Sequence, residues 1–245
     1  MAVRLIENAS HTGSWNMAVD ESLLESTADS GRPTLRFYQW SAPTLSLGYF
    51  QKYADRWSHL ESSDAACVRR ASGGGAIMHD VELTYSYCVP TADPRSTSVT
   101  GLFDIFHQSL IRALAAFGVA ATICGKPQKH PDGDPFLCFK RRSSVDLIID
   151  GYKVCGSAQR RGRGAVLQHG SILLGKSVKA PQLPGIAELA SKQIEPNELQ
   201  KVWASDLSDA LGLNFEVGEL TAAEISLAAE TEKSRFASPD WTEKK

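Results

Sequence analysis

The sequence predicts an α+β fold: a single catalytic-sized domain built on a central mixed or antiparallel β-sheet with helices packed around it. Three observations carry this expectation. Short β-type apolar runs, punctuated by glycine and proline, fill the chain as far as Leu174. Two longer stretches of helical period interrupt them. Beyond Pro184 the pattern turns to helical stretches rich in alanine and glutamate. At 245 residues the chain suits one domain with a sizeable core, placed here over residues 1–235 with a helical segment at 185–235.

Val3 to Ile6 alternates weakly and reads as an edge strand. Ser14 is placed to cap a helix from Trp15 to about Ala28; Met17, Leu23 and Leu24 form its apolar stripe, and Asp20 and Glu21 sit near its positive N-terminal end. Gly31 and Pro33 stop it. Thr34–Trp40 and Thr44–Phe50 read as strands split by Pro43, Tyr53–Leu60 as a short helix, and Ala66–Arg70, Ala76–His79 and Leu83–Val89 as further strands. Pro90–Ser98 is a polar loop. Leu102, Ile105, Phe106, Leu110, Ala113, Leu114 and Phe117 recur at helical spacing, and Gly118 ends that helix. Val119–Ile123 is a strand; Gly125–Pro135, rich in Gly, Pro, Lys and Asp, is a mobile loop. Val145–Ile149 and Tyr152–Ser157 form a hairpin about Asp150-Gly151, and Val166–Leu174 is another strand. Ile186–Ser191, Glu195–Leu211 and Ala222–Thr231 follow helical patterns, and the polar residues 236–245 are expected to be a disordered tail.

Composition narrows the function classes. The net charge of −2 argues against a nucleic-acid binder. No apolar run approaches the length needed to span a bilayer, and the N-terminus lacks a signal pattern, so a cytoplasmic location is expected. The five cysteines include no C-x-x-C pair and fit neither a disulfide framework nor a zinc site. Cys67, Cys88 and Cys124 lie in β-like runs and read as small buried hydrophobes. No cluster has metal-ligand spacing, and no metal or cofactor is expected.

The stretch Arg69-Arg70-Ala71-Ser72-Gly73-Gly74-Gly75-Ala76-Ile77-Met78-His79-Asp80 is the most informative. Three glycines alone suit a tight surface turn. With fixed positive charge before them and a polar pair after them, they read as a loop on which a ligand lies against bare backbone amides. A second segment, Gly151-Tyr152-Lys153-Val154-Cys155-Gly156-Ser157-Ala158-Gln159-Arg160, precedes Leu167-Gln168-His169-Gly170-Ser171-Ile172. Together with Asn16 to Glu21, Leu45 to Gln51 and Glu82 to Ser86, these blocks resemble the biotin/lipoate protein ligase superfamily, in the family's order, over about residues 13–174. Within it the chain is most similar to the cysteine-dependent octanoyltransferases, because Phe136-Leu137-Cys138-Phe139 falls where they keep a nucleophile.

The resemblance implies the superfamily's catalytic fold and assigns Cys138 and Lys153 as catalytic residues. Lys140, Arg141 and Arg142 directly follow Cys138, and nearby cations favour the reactive thiolate. Cys155 is a rival, since strand alternation puts it on the same face as Lys153. Lys153 is assigned to the acyl carbonyl, where an ammonium stabilises an oxyanion. Arg70, Ser72, Gly73, Gly74, Gly75, His79, Gly156, Ser157, Ala158 and His169 are assigned to substrate binding. His79 or His169 could accept a proton, although a lone histidine at a strand end is more often structural. The apolar sheet face beside Gly73–Gly75 is expected to take the acyl chain.

The implied activity is octanoyl-[acyl-carrier-protein]:protein N-octanoyltransferase in lipoate biosynthesis, through a Cys138 thioester. The implied partners are octanoyl-acyl carrier protein and lipoyl domains, either 2-oxoacid dehydrogenase E2 subunits or the glycine cleavage H protein, with no nucleic acid or membrane. Lys140-Arg141-Arg142 and Arg160-Arg161-Gly162-Arg163 form a basic rim suited to an acidic carrier. The alternatives are an ATP-dependent lipoate-protein ligase, for which the roughly 70 residues after Leu174 are short for an accessory domain unless that domain sits on another chain; a lipoyl-domain amidotransferase; and a non-catalytic binding module, against which Cys138 and Lys153 argue.

Overall fold

The computed structural model describes residues 2–244 except Val99, Gln128, Lys129, Asp132 and Arg163, and Asn8 through its backbone alone. Strands β1 (Val3–His11), β2 (Thr34–Trp40), β3 (Thr44–Leu47), β4 (Ala66–Arg69), β5 (Ile77–His79), β6 (Glu82–Pro90), β7 (Thr122–Ile123), β8 (Leu147–Ile149), β9 (Tyr152–Arg161), β10 (Ala165–Leu173) and β11 (Phe215–Val217) form two sheets. The larger has the order β11-β1-β2-β6-β10-β9-β8-β7, parallel at β11-β1-β2 and antiparallel beyond. The smaller, β4-β3-β5, is also mixed. The helices are α1 (Gly13–Ser30), α2 (Gly101–Ala116), α3 (Ile186–Ala190), α4 (Pro196–Leu211), α5 (Ala222–Thr231) and α6 (Pro239–Thr242).

The alternation of β6 explains the layering. Leu83, Tyr85, Tyr87 and Val89 point to one face, where they pack with Leu102, Phe106 and Leu110 of α2 and with Leu199, Trp203 and Leu207 of α4. Glu82, Thr84 and Ser86 point to the other face and are equally buried, beneath α1 and the small sheet. Alternation of this kind usually marks a strand with one solvated face. Here the polar face is covered, and its groups are spent on hydrogen bonds within the site. Met17, Leu23 and Leu24 of α1 pack on that side with Tyr38, Leu167 and Ala228.

Most expected elements are present, and several details differ. β1 is not an edge strand, because β11, unmarked in the sequence, pairs with it in parallel. The cap of α1 is Thr12, whose hydroxyl accepts from the Trp15 amide; Ser14 instead donates to Glu232. Asp20 and Glu21 do not serve the N-terminus of α1: both are buried mid-helix, facing inward. The residues 236–245 were expected to be disordered, but Pro239–Thr242 is helical and Trp241 donates to Arg69 O at 2.8 Å. The buried Arg69 guanidinium holds Thr242 O at 2.8 Å and Gln51 O at 2.6 Å, so it fastens the C-terminal turn to the segment after β3. Cys88 is buried as expected, whereas Cys67 and Cys124 are half-buried.

A second fastening joins the two ends of the chain. Arg4 on β1 grips both oxygens of Glu224 on α5, at 2.9 and 2.5 Å. Burial pushes the Glu224 carboxyl up, but Arg4 and the Thr221 amide pull it down to about 2. A depressed carboxyl contributes stability that is complete above its unfolded value and is lost as pH falls towards its folded value. Replacing Arg4 with methionine should therefore lower the melting temperature at pH 7, and the difference from wild type should shrink as pH falls from 4.5 towards 2 in a series of thermal melts.

Candidate active site

The glycine segment is a loop joining β4 to β5 across the end of β3. Its shape comes from Arg70, whose buried guanidinium donates to Ser46 O at 2.8 Å and to Gly73 O and Gly75 O at 2.7 Å each. Gly74 has φ +94°, which glycine adopts without strain. A Cβ at Gly48 would lie 2.0 Å from Gly74 O, so two bare backbones are in contact there. Burial pulls Arg70 down to about 10, partly offset by Cys138, and it stays cationic at neutral pH.

Where the loop enters β5, the Cys138 segment docks beside it. Ala76 N–H donates to Phe136 O at 2.9 Å, and Cys138 N–H donates to Ala76 O at 2.7 Å. One short turn, Cys138–Lys140, then presents the sulfur to the loop, 3.9 Å from a Cβ position at Gly74. Lys153 reaches the same point from β9. Its Nζ lies 3.8 Å from Cys138 Sγ and 2.9 Å from Asp146 Oδ2, and both Lys153 and Asp146 are buried. The hairpin supplies the reach. Asp150 and Gly151 both have positive φ, as a two-residue turn of this type needs. On the strands that follow, Leu147 pairs with Cys155 while Ile148 pairs with Lys153, so Val154 is an extra residue.

That bulge overturns the expected sharing of a face by Lys153 and Cys155. Lys153 folds over Gly156 towards Cys138, whereas Cys155 is fully buried among core side chains and lies 4.0 Å from His107 Nε2. Burial raises the Cys155 thiol far above its ordinary value, with Asp146 adding to the shift.

A cavity of about 310 Å³ runs inward from Cys138. Eight of the expected binding residues line it: Arg70, Gly73, Gly74, His79, Gly156, Ser157, Ala158 and His169. Ser72 and Gly75 stand behind the wall. Ser72 Oγ bonds His169 Nε2 at 2.5 Å, and Gly75 packs against Arg141 and the Cys138 amide. The inner end adds residues not singled out from the sequence for this role, among them Tyr38, Trp40 and Thr84. His79 stacks on Trp40 and bonds Glu82 at 2.6 Å; Trp40 donates to Thr84 at 2.9 Å. Burial, opposed by Asp20, lowers His169 to about 4, so it is neutral at physiological pH.

A profile of the lipoyl protein ligase A/B catalytic domain matches residues 12–223. The chain belongs to that family. Among curated proteins, the octanoyltransferase LipM of Brevibacillus brevis is 32% identical, with 97% of each chain covered. That of Kyrpidia tusciae is 31% identical, covering 99% of this chain and 98% of its own. Among solved structures, a lipoate-protein ligase A bound with ATP superposes with a TM-score of 0.79 at 21% identity, with 99% of each chain covered. The bipartite lipoate protein ligase of Thermoplasma acidophilum gives 0.77 at 20%, over 99% of this chain and 96% of its own. The α+β class and the superfamily expected from the sequence are thus both borne out.

In this member of the lipoyl protein ligase A/B family Arg141, one of the cations after Cys138, is turned to other partners. Arg141 donates to Pro135 O at 2.6 Å and to Asp134 at 3.1 Å, and Lys153 is the cation in hydrogen-bonding contact with the sulfur. The second basic segment is also engaged, with Arg160 paired to Glu21 and Arg161 donating to Ser96 O; Arg163 lies outside the described residues. Asp146 escaped sequence reading. Its only signal is a carboxylate inside the apolar run Val145–Ile149.

A Cβ at Gly156 would lie 2.3 Å from Lys153 Cε and 2.6 Å from Nζ. The far end of a lysine yields more easily than backbone. Gly156→Ala should therefore leave the thermal transition near wild type yet slow alkylation of Cys138 by iodoacetamide at neutral pH, because the ammonium is pushed off the sulfur. Mass-spectrometric labelling time courses read the effect, and an unchanged rate would mean that Lys153 does not assist the thiolate.

Proposed function

We propose that this chain is an octanoyltransferase of lipoate biosynthesis that carries octanoate on Cys138 from acyl carrier protein to a lysine of a lipoyl domain. The supporting observation is the meeting of Lys153 Nζ with Cys138 Sγ at 3.8 Å, at the mouth of the cavity. The names of its full-length relatives agree with it.

The Cys138 thiolate adds to the octanoyl thioester carbonyl. The Lys153 ammonium faces the oxygen that becomes negative, and the carrier thiolate leaves as the carbonyl re-forms. The acyl chain lies in the cavity beneath Gly73 and Gly74. The acceptor ε-amine then adds to the acyl-cysteine, loses its proton and expels the Cys138 thiolate, leaving an amide. One difficult transfer is divided into two displacements. Exchange of one thioester for another is close to isoenergetic, so ATP is not required. The protein acts in the cytoplasm, where acyl carriers and thiols coexist; among the described residues no helix is long and apolar enough to cross a membrane.

A ligase reading would use the Arg70 loop to bind a nucleotide phosphate. Arg70 already gives its donors to Ser46, Gly73 and Gly75, and about 310 Å³ lies at the small end of the range for ligand sites. Both points favour an acyl chain alone over an acyl adenylate.

Mixed with octanoyl-acyl carrier protein in the absence of ATP, the wild-type protein should gain one octanoyl group by intact mass. Cys138→Ala should gain none, and Cys155→Ala should gain it normally. Lys153→Ala should remain folded and lose on the order of 10²–10³ in single-turnover rate, the usual cost of one oxyanion donor. Turnover only with ATP and free acid would replace the transferase by a ligase.

A further inference from the structure

We propose that Asp146 is a positioning residue whose carboxylate aims the Lys153 ammonium at Cys138, and that His107 anchors this carboxylate from the opposite side of the sheet. The inference rests on the reading of Cys138 and Lys153 given above and extends it to two residues that touch neither the sulfur nor the cavity.

Asp146 stands just before β8. One of its oxygens, Oδ2, receives the Ser143 amide at 2.7 Å and the Lys153 ammonium at 2.9 Å. The Ser143 bond ties the carboxylate to the segment that follows the Cys138 turn. The Lys153 bond ties it to β9. One carboxylate thus sets the separation between the two strands of chain that bring sulfur and ammonium together.

His107 on α2 fixes the peptide that carries Asp146. Its Nδ1 lies 2.5 Å from Val145 O, and a carbonyl can only accept, so Nδ1 bears the proton. Nε2 then accepts from Ser157 Oγ at 2.8 Å. The order propagates: Tyr85 OH donates to Ser157 Oγ at 2.7 Å, and Gln168 Nε2 donates to Tyr85 OH at 2.9 Å. Burial lowers the pKa of His107, in keeping with this neutral form. The chain clamps the residues that lead into β8 to the wall of β9 on the Cys155 side of the bulge, while the Asp146–Lys153 pair spans to its other side, and the bulge is what turns Lys153 towards Cys138.

The charge on Lys153 depends on this arrangement. The titratable groups around it are Cys138, Asp146, Cys155 and His107. Burial lowers the Lys153 pKa, but Cys138 and Asp146 more than offset it, and the pKa ends above its ordinary value. Of these groups Asp146 is the carboxylate paired with Lys153, and acylation of Cys138 leaves that pair in place. Once Cys138 is acylated its charge is gone, and Asp146 remains to hold Lys153 protonated for the second displacement.

Asp146→Asn is the informative variant, because the amide oxygen still accepts from the Ser143 amide while the charge is lost. Lysine labelled with ¹³C at Cε reports the titration of Lys153 by NMR, with the resonance assigned by its absence in Lys153→Arg. In Asp146→Asn the Lys153 midpoint should move to lower pH. The alkaline limb of kcat with octanoyl-CoA should move down with it, KM should change little, and kcat should fall by up to about 10²-fold, the cost of a misplacement near 1 Å. Asp146→Glu should bring the midpoint back towards wild type while kcat stays low, since the charge returns but the extra methylene shifts the ammonium from its native position. His107→Gln should shift the midpoint in the same direction as Asp146→Asn and by less. A Lys153 midpoint unchanged in Asp146→Asn overturns the proposal whatever the rate does. The NMR titration needs no acyl transfer, so it stands even if the octanoyltransferase reading fails in the mass experiment.

Discussion

A buried guanidinium held by backbone carbonyls is the constraint on which the site depends. Three glycines have no intrinsic preference for one loop shape, and each loses more conformational freedom on ordering than any other residue. Arg70 removes that freedom by fixing Gly73 O and Gly75 O against Ser46 of β3. With those carbonyls committed, Gly74 takes its positive φ and Ala76 is left in place to receive the Cys138 segment through two backbone bonds. A lysine could not serve here, since a single ammonium lacks the planar spread of donors that spans three carbonyls.

The wall opposite is built by the same economy of polar groups. Glu82 accepts from Thr84 and Ser171 and bonds His79; Asp20 accepts from Arg36, Tyr38 and Ser86. Two carboxylates under the sheet are tolerable because each is surrounded by donors, and the loss of one partner would leave a buried charge uncompensated. Each network ends on a residue that lines the cavity: His79 through Glu82, and His169, whose Nδ1 lies 3.9 Å from Asp20. The cavity's shape is therefore carried by bonded side chains on adjacent strands, while the largest apolar cluster lies on the α2 and α4 face.

How much of this was legible in the sequence follows from the range of the interactions. The Asp150-Gly151 hairpin and the helix ending at Gly118 are written locally, in residues suited to positive φ and in apolar periodicity. The glycine loop, Cys138 and Lys153 were legible as motifs in order. What was missed is non-local. β11 is only three residues long and exists because it pairs with β1 more than two hundred positions away. The C-terminal turn is polar in composition and is held by Arg69, whose role no window of sequence around either partner reveals. The bulge at Val154 is a property of the pairing between β8 and β9, so period-2 reasoning on β9 alone put Cys155 on the wrong side.

The charge balance around the sulfur gives these parts a common purpose within the proposed reaction. Arg70 and Lys153 are both cationic near Cys138, and Asp146 is the carboxylate paired with Lys153. With the thiolate present, the cluster of two cations and two anions is close to neutral. When the sulfur is acylated the cluster gains one net positive charge in a water-poor setting, where such an imbalance is felt strongly. The next negative charge to appear is the oxyanion formed as the acceptor amine adds. The fixed charges thus favour thiolate and oxyanion in turn and disfavour the neutral acyl-enzyme between them. A rigid frame is needed for this alternation, because groups free to move would relax towards whichever state was present. The Arg70 carbonyl clamp, the Ala76 bonds and the Asp146 bridge supply that rigidity from three directions.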